Sequence, residues 1–563
     1  MPRTILQIVT MNNEGDSAYR MRWPAQHLAQ QRTDWRIINL DTEAAERYEW
    51  GLQADLLVLY QQSDPDMLRL VRERRKRGLP TLAEYNDNFY APPAASPAAS
   101  AWRSPMLWRA YERIMHVADG LIVTGPGLAE LLRPQSDNIN IVPNYLPAPP
   151  PAFQQRPGAE NRGVRFGWAG SIGHVADILS LKRIIEGVLN DFPDSTFCLM
   201  GNTSLPGEMG LPPERVSFTP WGDMNAYYRF LDGLDIGLAP LLDTAYNRCR
   251  SDVKALELAA RSVTPILPDS LPYREFINKT GIAPYRTPDE LNGLLRNYIR
   301  DTRTRQEDGR RCHEYVNRQR VGPFNTERAQ LYERHFPGES PAFTWPVDAG
   351  YHEVQGRPQS QGAYARAMAD LNNLYGRRQF GAVLERTVVL AGDYPDDPDL
   401  YLLRLRALSK TASPDALDEA RACIRRFPGD LRFVLSQAIL LNDAAGRRAC
   451  WEELLEHLRG ATDHERDFYR EMLLRNLISY LQKSGDPDFA AQFVELYPDA
   501  ADLRYHLWRQ FEAAGNDAAA QRHCDWLLAM HRALRHSAET LKDLNPEYLM
   551  AWNEGLKGRL PRA

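Results

Sequence analysis

Val164-Arg165-Phe166-Gly167-Trp168-Ala169-Gly170-Ser171-Ile172-Gly173-His174 is the stretch on which the fold turns. A short apolar strand breaks here into small residues, and a helical pattern follows from Val175 to Leu189. Small residues between a strand end and a helix start let backbone N–H groups approach an anion, and the helix dipole favours its charge. Further on, Leu234-Asp235-Ile236-Gly237-Leu238-Ala239-Pro240 reads as a buried strand. It is followed by Asn247-Arg248-Cys249-Arg250-Ser251-Asp252-Val253-Lys254-Ala255-Leu256-Glu257, a polar loop entering a helix. The ordered pair predicts one diphosphate site assembled from two loops.

Working outward, residues 1–150 alternate strand and helix patterns, which predicts a parallel sheet covered by helices. Strands are expected at Thr4–Val9, Trp35–Leu40, Asp55–Tyr60, Thr81–Tyr85, Gly120–Thr124 and Asn138–Val142. Pro92–Pro97 reads as a flexible loop, and Pro147–Arg162 as a linker. Residues 163–336 repeat the grammar, closing with a helix over Phe324–Phe336. Two doubly wound sheets in series leave a cleft at their strand ends. Residues 337–361 are expected as a junction. From Gly362 to 563 strand patterns vanish, and helix ends recur at Tyr394-Pro395, Phe427-Pro428 and Tyr497-Pro498. With turns at Gly446, Gly485 and Gly515, this spacing suggests degenerate helix-turn-helix repeats of tetratricopeptide type, with an irregular helical bundle as the alternative.

A net charge of −5 gives no reason to expect nucleic acid as a partner. Six cysteines lack any metal-ligand spacing and read as reduced thiols. Met1-Pro2-Arg3-Thr4 leads into a strand without a signal pattern, and no apolar run reaches the roughly 20 residues of a membrane span. A cytoplasmic protein is the expectation.

Gly167-Trp168-Ala169-Gly170-Ser171 with His174 and Asp177, then Asp235–Leu241, then Ser251, Lys254 and Glu257, resemble the donor half of a GT-B glycosyltransferase. The likeness is to glycosyltransferase family 4 and its group 1 neighbours, and runs from about residue 1 to about residue 336. It implies two Rossmann-like domains, 1–150 on the acceptor side and 163–336 on the nucleotide-sugar side. An all-α domain, 362–563, lies outside it. The implied activity is transfer of a sugar from a UDP- or GDP-sugar to a glycan or protein hydroxyl, without metal or other cofactor and with retention.

Such transfer requires a neutralised leaving diphosphate, a held ribose and a positioned acceptor. Gly170 and Ser171 are candidates for the diphosphate, the alternative being a tight turn with a capping serine. His174, otherwise a surface or cap residue, is placed at phosphate or sugar. Asp177 reads as a capping or ion-pairing carboxylate. Lys254 and Glu257 share a helix face. The plain reading is a helical ion pair; the functional one puts Lys254 or Arg250 on the diphosphate and Glu257 on the ribose hydroxyls. Ser251 would cap the helix and donate to phosphate. Gly15 and Ser17 are expected near the donor, Arg20 near phosphate or acceptor. Asp87, within Glu84-Tyr85-Asn86-Asp87-Asn88, is a candidate acceptor contact or general base, against an Asx turn; Asn144 is expected to shape the hinge. Many relatives carry a second acid eight residues before the position of Glu257, where this chain has Cys249; Asn247 or Asp243 would have to substitute. Asp64-Pro65-Asp66 has the letters of a metal motif but sits at a helix start. The other readings are a non-catalytic scaffold whose helical repeats recruit protein partners, glycosylation of modified DNA bases, and a sugar epimerase.

Overall fold

A computed structural model describes residues 2–10, 15–93, 102, 104–155, 163–359 and 362–536. The expected loop at 92–97 and the linker at 147–162 each fall partly outside those residues. The chain forms two compact units, Met1–Ala367 and Met368–Ala563.

The first unit holds two parallel sheets. One contains β1 (Arg3–Val9), β2 (Trp35–Asp41), β3 (Leu56–Tyr60), β4 (Thr81–Tyr85), β5 (Gly120–Val123) and β6 (Ile139–Ile141). The other contains β7 (Arg165–Ala169), β8 (Thr196–Gly201), β9 (Val216–Pro220), β10 (Ile236–Leu238) and β11 (Thr264–Ile266). The stretch 337–361, expected as a junction, supplies β12 (Gly350–Val354), which returns to the first sheet and pairs parallel with β2. The orders are β12-β2-β1-β3-β4-β5-β6 and β11-β10-β7-β8-β9. Runs such as Leu56-Leu57-Val58-Leu59-Tyr60, buried throughout, suit a sheet covered on both faces.

In the first sheet the order reverses beside β1, and in the second at β7 and β10. A crevice opens outside the carboxyl ends of strands at such a switch point, and ligands of open α/β sheets bind there. The two loops singled out in the sequence, after β7 and after β10, are the pair that flank it.

The helix expected to run from Val175 to Leu189 is broken. Ile172–His174 is a 3₁₀ turn, α1 covers only Val175–Leu179, and α2 resumes at Lys182–Asp191. Ser180 at the break donates its hydroxyl to the Asp177 carbonyl at 2.6 Å. Serine favours such local bonds over continuing a helix. The dipole expected behind the Gly170 turn is therefore that of a five-residue helix. On the other side of the crevice, α3 spans Val253–Ala260.

After the second sheet, α4 (Thr326–His335) packs on the first. Arg328 of α4 and Arg20 both bind Glu84 of β4, at 2.8 and 2.6 Å, with all three side chains almost wholly buried. Burial pushes the Glu84 carboxyl up, but Arg20 and Arg328 together hold it below the usual carboxylate range. Tyr332 adds a bond from Gln7 of β1 at 3.1 Å.

The described part of the second unit is helical: α5 (Ala363–Gly376, which begins in the first unit), α6 (Phe380–Asp393), α7 (Pro398–Lys410), α8 (Ala416–Arg426), α9 (Leu431–Leu440), α10 (Ala444–Gly460), α11 (Asp463–Ser484), α12 (Ala501–Ala513) and α13 (Asp517–His536). Gly485 and Gly515, with φ of 65° and 70°, end helices as expected. Gly446 does not mark a turn; it lies in the first turn of α10, where its N–H bonds the capping Asp443. Among the described residues no helix is long and apolar enough to cross a membrane.

Candidate active site

The crevice between the two sheets is crossed by a chain of polar contacts. Arg250, in the turn before α3, donates to Asp87 beyond β4 and to the Tyr246 hydroxyl at 3.1 Å. Its other nitrogen lies 3.2 Å from His174 Nε2. His174 Nδ1 is 2.9 Å from Asp177 Oδ2. Burial, with Lys254 next in effect, lowers the His174 pKa to about 4, so the ring is neutral at neutral pH. A neutral ring donating from Nδ1 to Asp177 accepts at Nε2 from Arg250, which fixes the tautomer.

Asp177 is structural. Its Oδ1 accepts from Leu242 N at 2.9 Å and from Asn247 Nδ2 at 2.8 Å, pinning the loop after β10 beneath His174. Asn247 is thereby engaged, and Asp243 is exposed in an ion pair with Arg248. Neither replaces the acid absent at Cys249. That cysteine is buried among residues of the first sheet's core, including Tyr85 and Phe89, and burial raises its thiol to about 11. A carboxylate here would lie in an apolar cluster.

Lys254 Nζ donates to the Ala169 carbonyl at 3.2 Å and sits 4.9 Å from the Trp168 ring centroid. The end of β7 and the start of α3 are thus joined by a direct contact. Burial, then the neighbouring Arg250, lowers Lys254 to about 8. Gly170 has a steric role: a Cβ would meet the Trp168 ring at 2.2 Å. Its N–H donates to the Met200 carbonyl at 3.2 Å, so the expected backbone contact to phosphate through that group is corrected. Ser171 is exposed, and its side chain makes no cap bond.

Glu257 departs most from expectation. It forms no simple helical pair with Lys254; its Oε1 accepts from Tyr19 at 2.6 Å and its Oε2 from Tyr227 at 2.8 Å. Tyr19 follows β1 of the first sheet, yet its ring is buried in a core packed on the second. Cys249 makes the reciprocal insertion. Sequence patterning could not reveal either exchange, because both residues read as ordinary members of their own segments.

Several other residues tie the crevice walls. Asn144 Nδ2 donates to Ser251 Oγ at 3.1 Å, and Asn144 Oδ1 accepts from Arg20 at 2.8 Å. Ser251 does not cap α3 with its side chain. Arg20, expected near phosphate or acceptor, is instead held on Glu84. Arg320, which the sequence reading missed, grips Asp252 through both guanidinium nitrogens at 2.6 and 2.9 Å and the Asn144 carbonyl at 2.8 Å. Gly127 lets the loop after β10 approach: a Cβ there would meet the Arg248 carbonyl at 2.1 Å. Asn88, not Asp87, makes the Asx turn, accepting from Tyr90 N at 3.1 Å. Asp87 is left facing Arg250; burial raises it to about 6 against the pull of that cation. Gly15 is exposed, its carbonyl accepting from Tyr19 N at 3.3 Å. Ser17 is buried. Asp64 caps the helix Pro65–Lys76 through Asp66 N.

No known protein family and no curated protein matches the chain. Solved structures similar to it include a variant of the O-GlcNAc transferase of Thermobaculum terrenum, at 14% identity, covering 60% of this chain and 68% of that one with a TM-score of 0.41. A glycosyltransferase of Rickettsia africae is 11% identical over 60% of this chain and 100% of its own, with a TM-score of 0.41. A protein of Listeria monocytogenes provisionally named UDP-N-acetylglucosamine 2-epimerase is 11% identical over 62% and 100%, with a TM-score of 0.39.

Proposed function

We propose that this chain is a glycosyltransferase that moves a sugar from a UDP- or GDP-sugar to a hydroxyl of a glycan or protein, by a metal-independent GT-B mechanism. One observation carries the reading. Lys254 reaches the end of β7 while Arg250 reaches Asp87 across the crevice, so two cations and an acceptor-side carboxylate meet at the switch point of the second sheet.

In this reading Lys254 and Arg250 neutralise the diphosphate as charge builds on it during cleavage of the anomeric bond. Ser251 and Ser171 supply hydroxyl donors beside it, with Gly15 on the facing loop. His174, neutral and held by Asp177, keeps Arg250 in place through its Nε2 and can accept there from a sugar hydroxyl once that guanidinium turns to the diphosphate. Asp87 accepts from the incoming hydroxyl. Glu257 takes the ribose hydroxyls once Tyr19 and Tyr227, which hold the same two oxygens by hydroxyl contacts of the same kind, withdraw. The helical residues 362–563 bind the acceptor or a protein partner.

A thermal-shift panel of UDP-, GDP- and other nucleotide sugars tests the reading. The cognate donor is expected to raise the midpoint as its concentration grows, stabilisation reaching about 2.7 kcal/mol at 100 Kd. A panel without a stabilising nucleotide sugar would refute it. Tyr19→Phe frees one Glu257 oxygen and is expected to tighten donor binding at least tenfold, from the roughly 1.5–3 kcal/mol of a hydrogen bond to a charged group. Unchanged affinity in titration calorimetry would remove Glu257 from the ribose.

The pH dependence follows from the groups at the crevice. Asp87 must be ionised to accept a proton and is protonated below about 6. Lys254 must be charged to hold phosphate and is neutral above about 8. The kcat/KM profile is expected to fall on both sides of that window. Lys254→Arg should abolish the alkaline limb while keeping the acid one, because a guanidinium does not titrate there.

A further inference from the structure

The residues that follow the five inner strands of the first sheet are Thr10 after β1, Thr42 after β2, Gln61 after β3, Asn86 after β4 and Thr124 after β5. Every one is a hydroxyl or an amide; none is apolar and none is charged. Turn chemistry alone would favour Gly, Pro, Asp, Asn or Ser at such places, and only Asn86 belongs to that set. These carboxyl ends form the acceptor side of the crevice, the place where open α/β sheets hold ligands. The sheet therefore meets the crevice as a neutral shelf of hydrogen-bonding groups.

Two adjoining residues on that shelf have polar atoms to spare. Gln61 has a φ of 48°, a left-handed conformation uncommon for a residue with a Cβ. Its N–H donates to the Glu84 carbonyl at 3.0 Å, and its side-chain amide donates to Asn86 Oδ1, next to Asp87. Among the described residues nothing donates to its own amide oxygen. Tyr60, one position earlier, is 5% exposed, and its hydroxyl has no hydrogen-bond partner among the described residues. Burial pushes its phenol well up, and the charges of Asp16 and then Asp87 push it further, so the hydroxyl lies toward those two carboxylates. A buried hydroxyl without a partner costs free energy that a water or a ligand hydroxyl restores.

The charges around the shelf disfavour anions. Asp16 is exposed on the loop after β1, and its charge is felt at Asp87. The arginines nearby are committed: Arg20 to Glu84, Arg47 to Asp64 and Arg250 to Asp87. A phosphate or carboxylate on the acceptor would meet Asp16 and Asp87 with those three cations already paired.

We infer that the acceptor is an uncharged oligosaccharide, its ring hydroxyls read by Gln61 and, directly or through one water, by Tyr60, while Asp16 turns acidic glycans away. Asn86 holds Gln61 in place. The inference rests on the transferase reading of the crevice and narrows its acceptor to a neutral glycan. Neighbouring hydroxyls of a sugar donate and accept from adjacent atoms, which an amide beside a phenol can match. A serine within a peptide offers one hydroxyl and brings apolar side chains for which the shelf has no seat.

The test is a glycan array probed with the fluorescently labelled full chain, without nucleotide and saturated with UDP or GDP. The array pairs neutral oligosaccharides with sialylated, uronate-bearing and phosphorylated forms of the same backbones, and a Ser/Thr-rich peptide competes in solution. At least one neutral glycan is expected to bind saturably and more tightly than its acidic forms. Asp16→Lys should narrow or reverse that preference. Gln61→Gly suits the positive φ and removes the amide, so binding should weaken about tenfold with no fall in thermal midpoint. Tyr60→Phe should weaken binding several-fold with the midpoint unchanged or raised, because the hydroxyl has no internal partner to lose. The inference is overturned by no neutral glycan binding, by equal or tighter binding of the acidic forms, by a preference indifferent to Asp16→Lys, by binding unchanged in both Gln61→Gly and Tyr60→Phe, or by displacement with the peptide. Neutral-glycan binding by a chain that takes neither UDP nor GDP would instead overturn the transferase reading and leave the sugar site standing.

Discussion

Arg250→Met is expected to lower kcat/KM by about two to three orders of magnitude, the usual loss when one preorganised stabiliser of transition-state charge is removed. Methionine retains much of the stem but neither the charge nor the guanidinium fork. Three contacts are lost at once, to Asp87, Tyr246 and His174. Asp87 is buried, and without its cation its pKa should climb above about 6. The acid limb of the rate profile should therefore move to higher pH in the variant. A merely structural arginine would not shift that limb. Arg250→Lys restores a charge but not the fork, so only partial recovery is expected. Steady-state kinetics with the cognate donor, repeated across pH, checks both effects.

Glu84→Gln is expected to destabilise the first unit by about 3–5 kcal/mol, the range for removing one partner from a buried ion cluster. Glu84 stands between Arg20 and Arg328 with no solvent exposure. Neutralising it leaves two guanidinium groups buried without a counter-charge. The same residue also joins distant parts of the chain, since Arg328 arrives on α4 after both sheets have been traversed. Loosening that helix should raise hydrogen exchange along α4 more than along β7 and β8. Denaturant unfolding gives the magnitude, and exchange mass spectrometry gives the distribution.

Much of the architecture was legible because buried parallel strands announce themselves as short continuous apolar runs. Leu56–Tyr60 and Thr196–Gly201 could hardly be anything else. The break at Ser180 was not legible, since the apolar spacing continues through it while a side-chain bond interrupts the backbone. The strand Gly350–Val354 was missed because an edge strand, only half buried, carries a weak pattern. At the crevice, Lys254 contacts the end of β7 and so joins the two loops singled out in the sequence. What the patterning hid was the exchange of Tyr19 and Cys249 between cores. A buried tyrosine on a distant segment satisfies Glu257, and no spacing within one segment encodes a partner 238 residues away.

In the proposed function the turn after Trp168 and the helix carrying Glu257 form one pocket for a nucleoside diphosphate. Titration calorimetry of UDP and GDP against the wild-type chain and Lys254→Ala tests it most directly. One of the two nucleotides should bind the wild type, with affinity at least tenfold lower in the variant. Failure of both to bind, or binding that Lys254→Ala leaves unchanged, would contradict it.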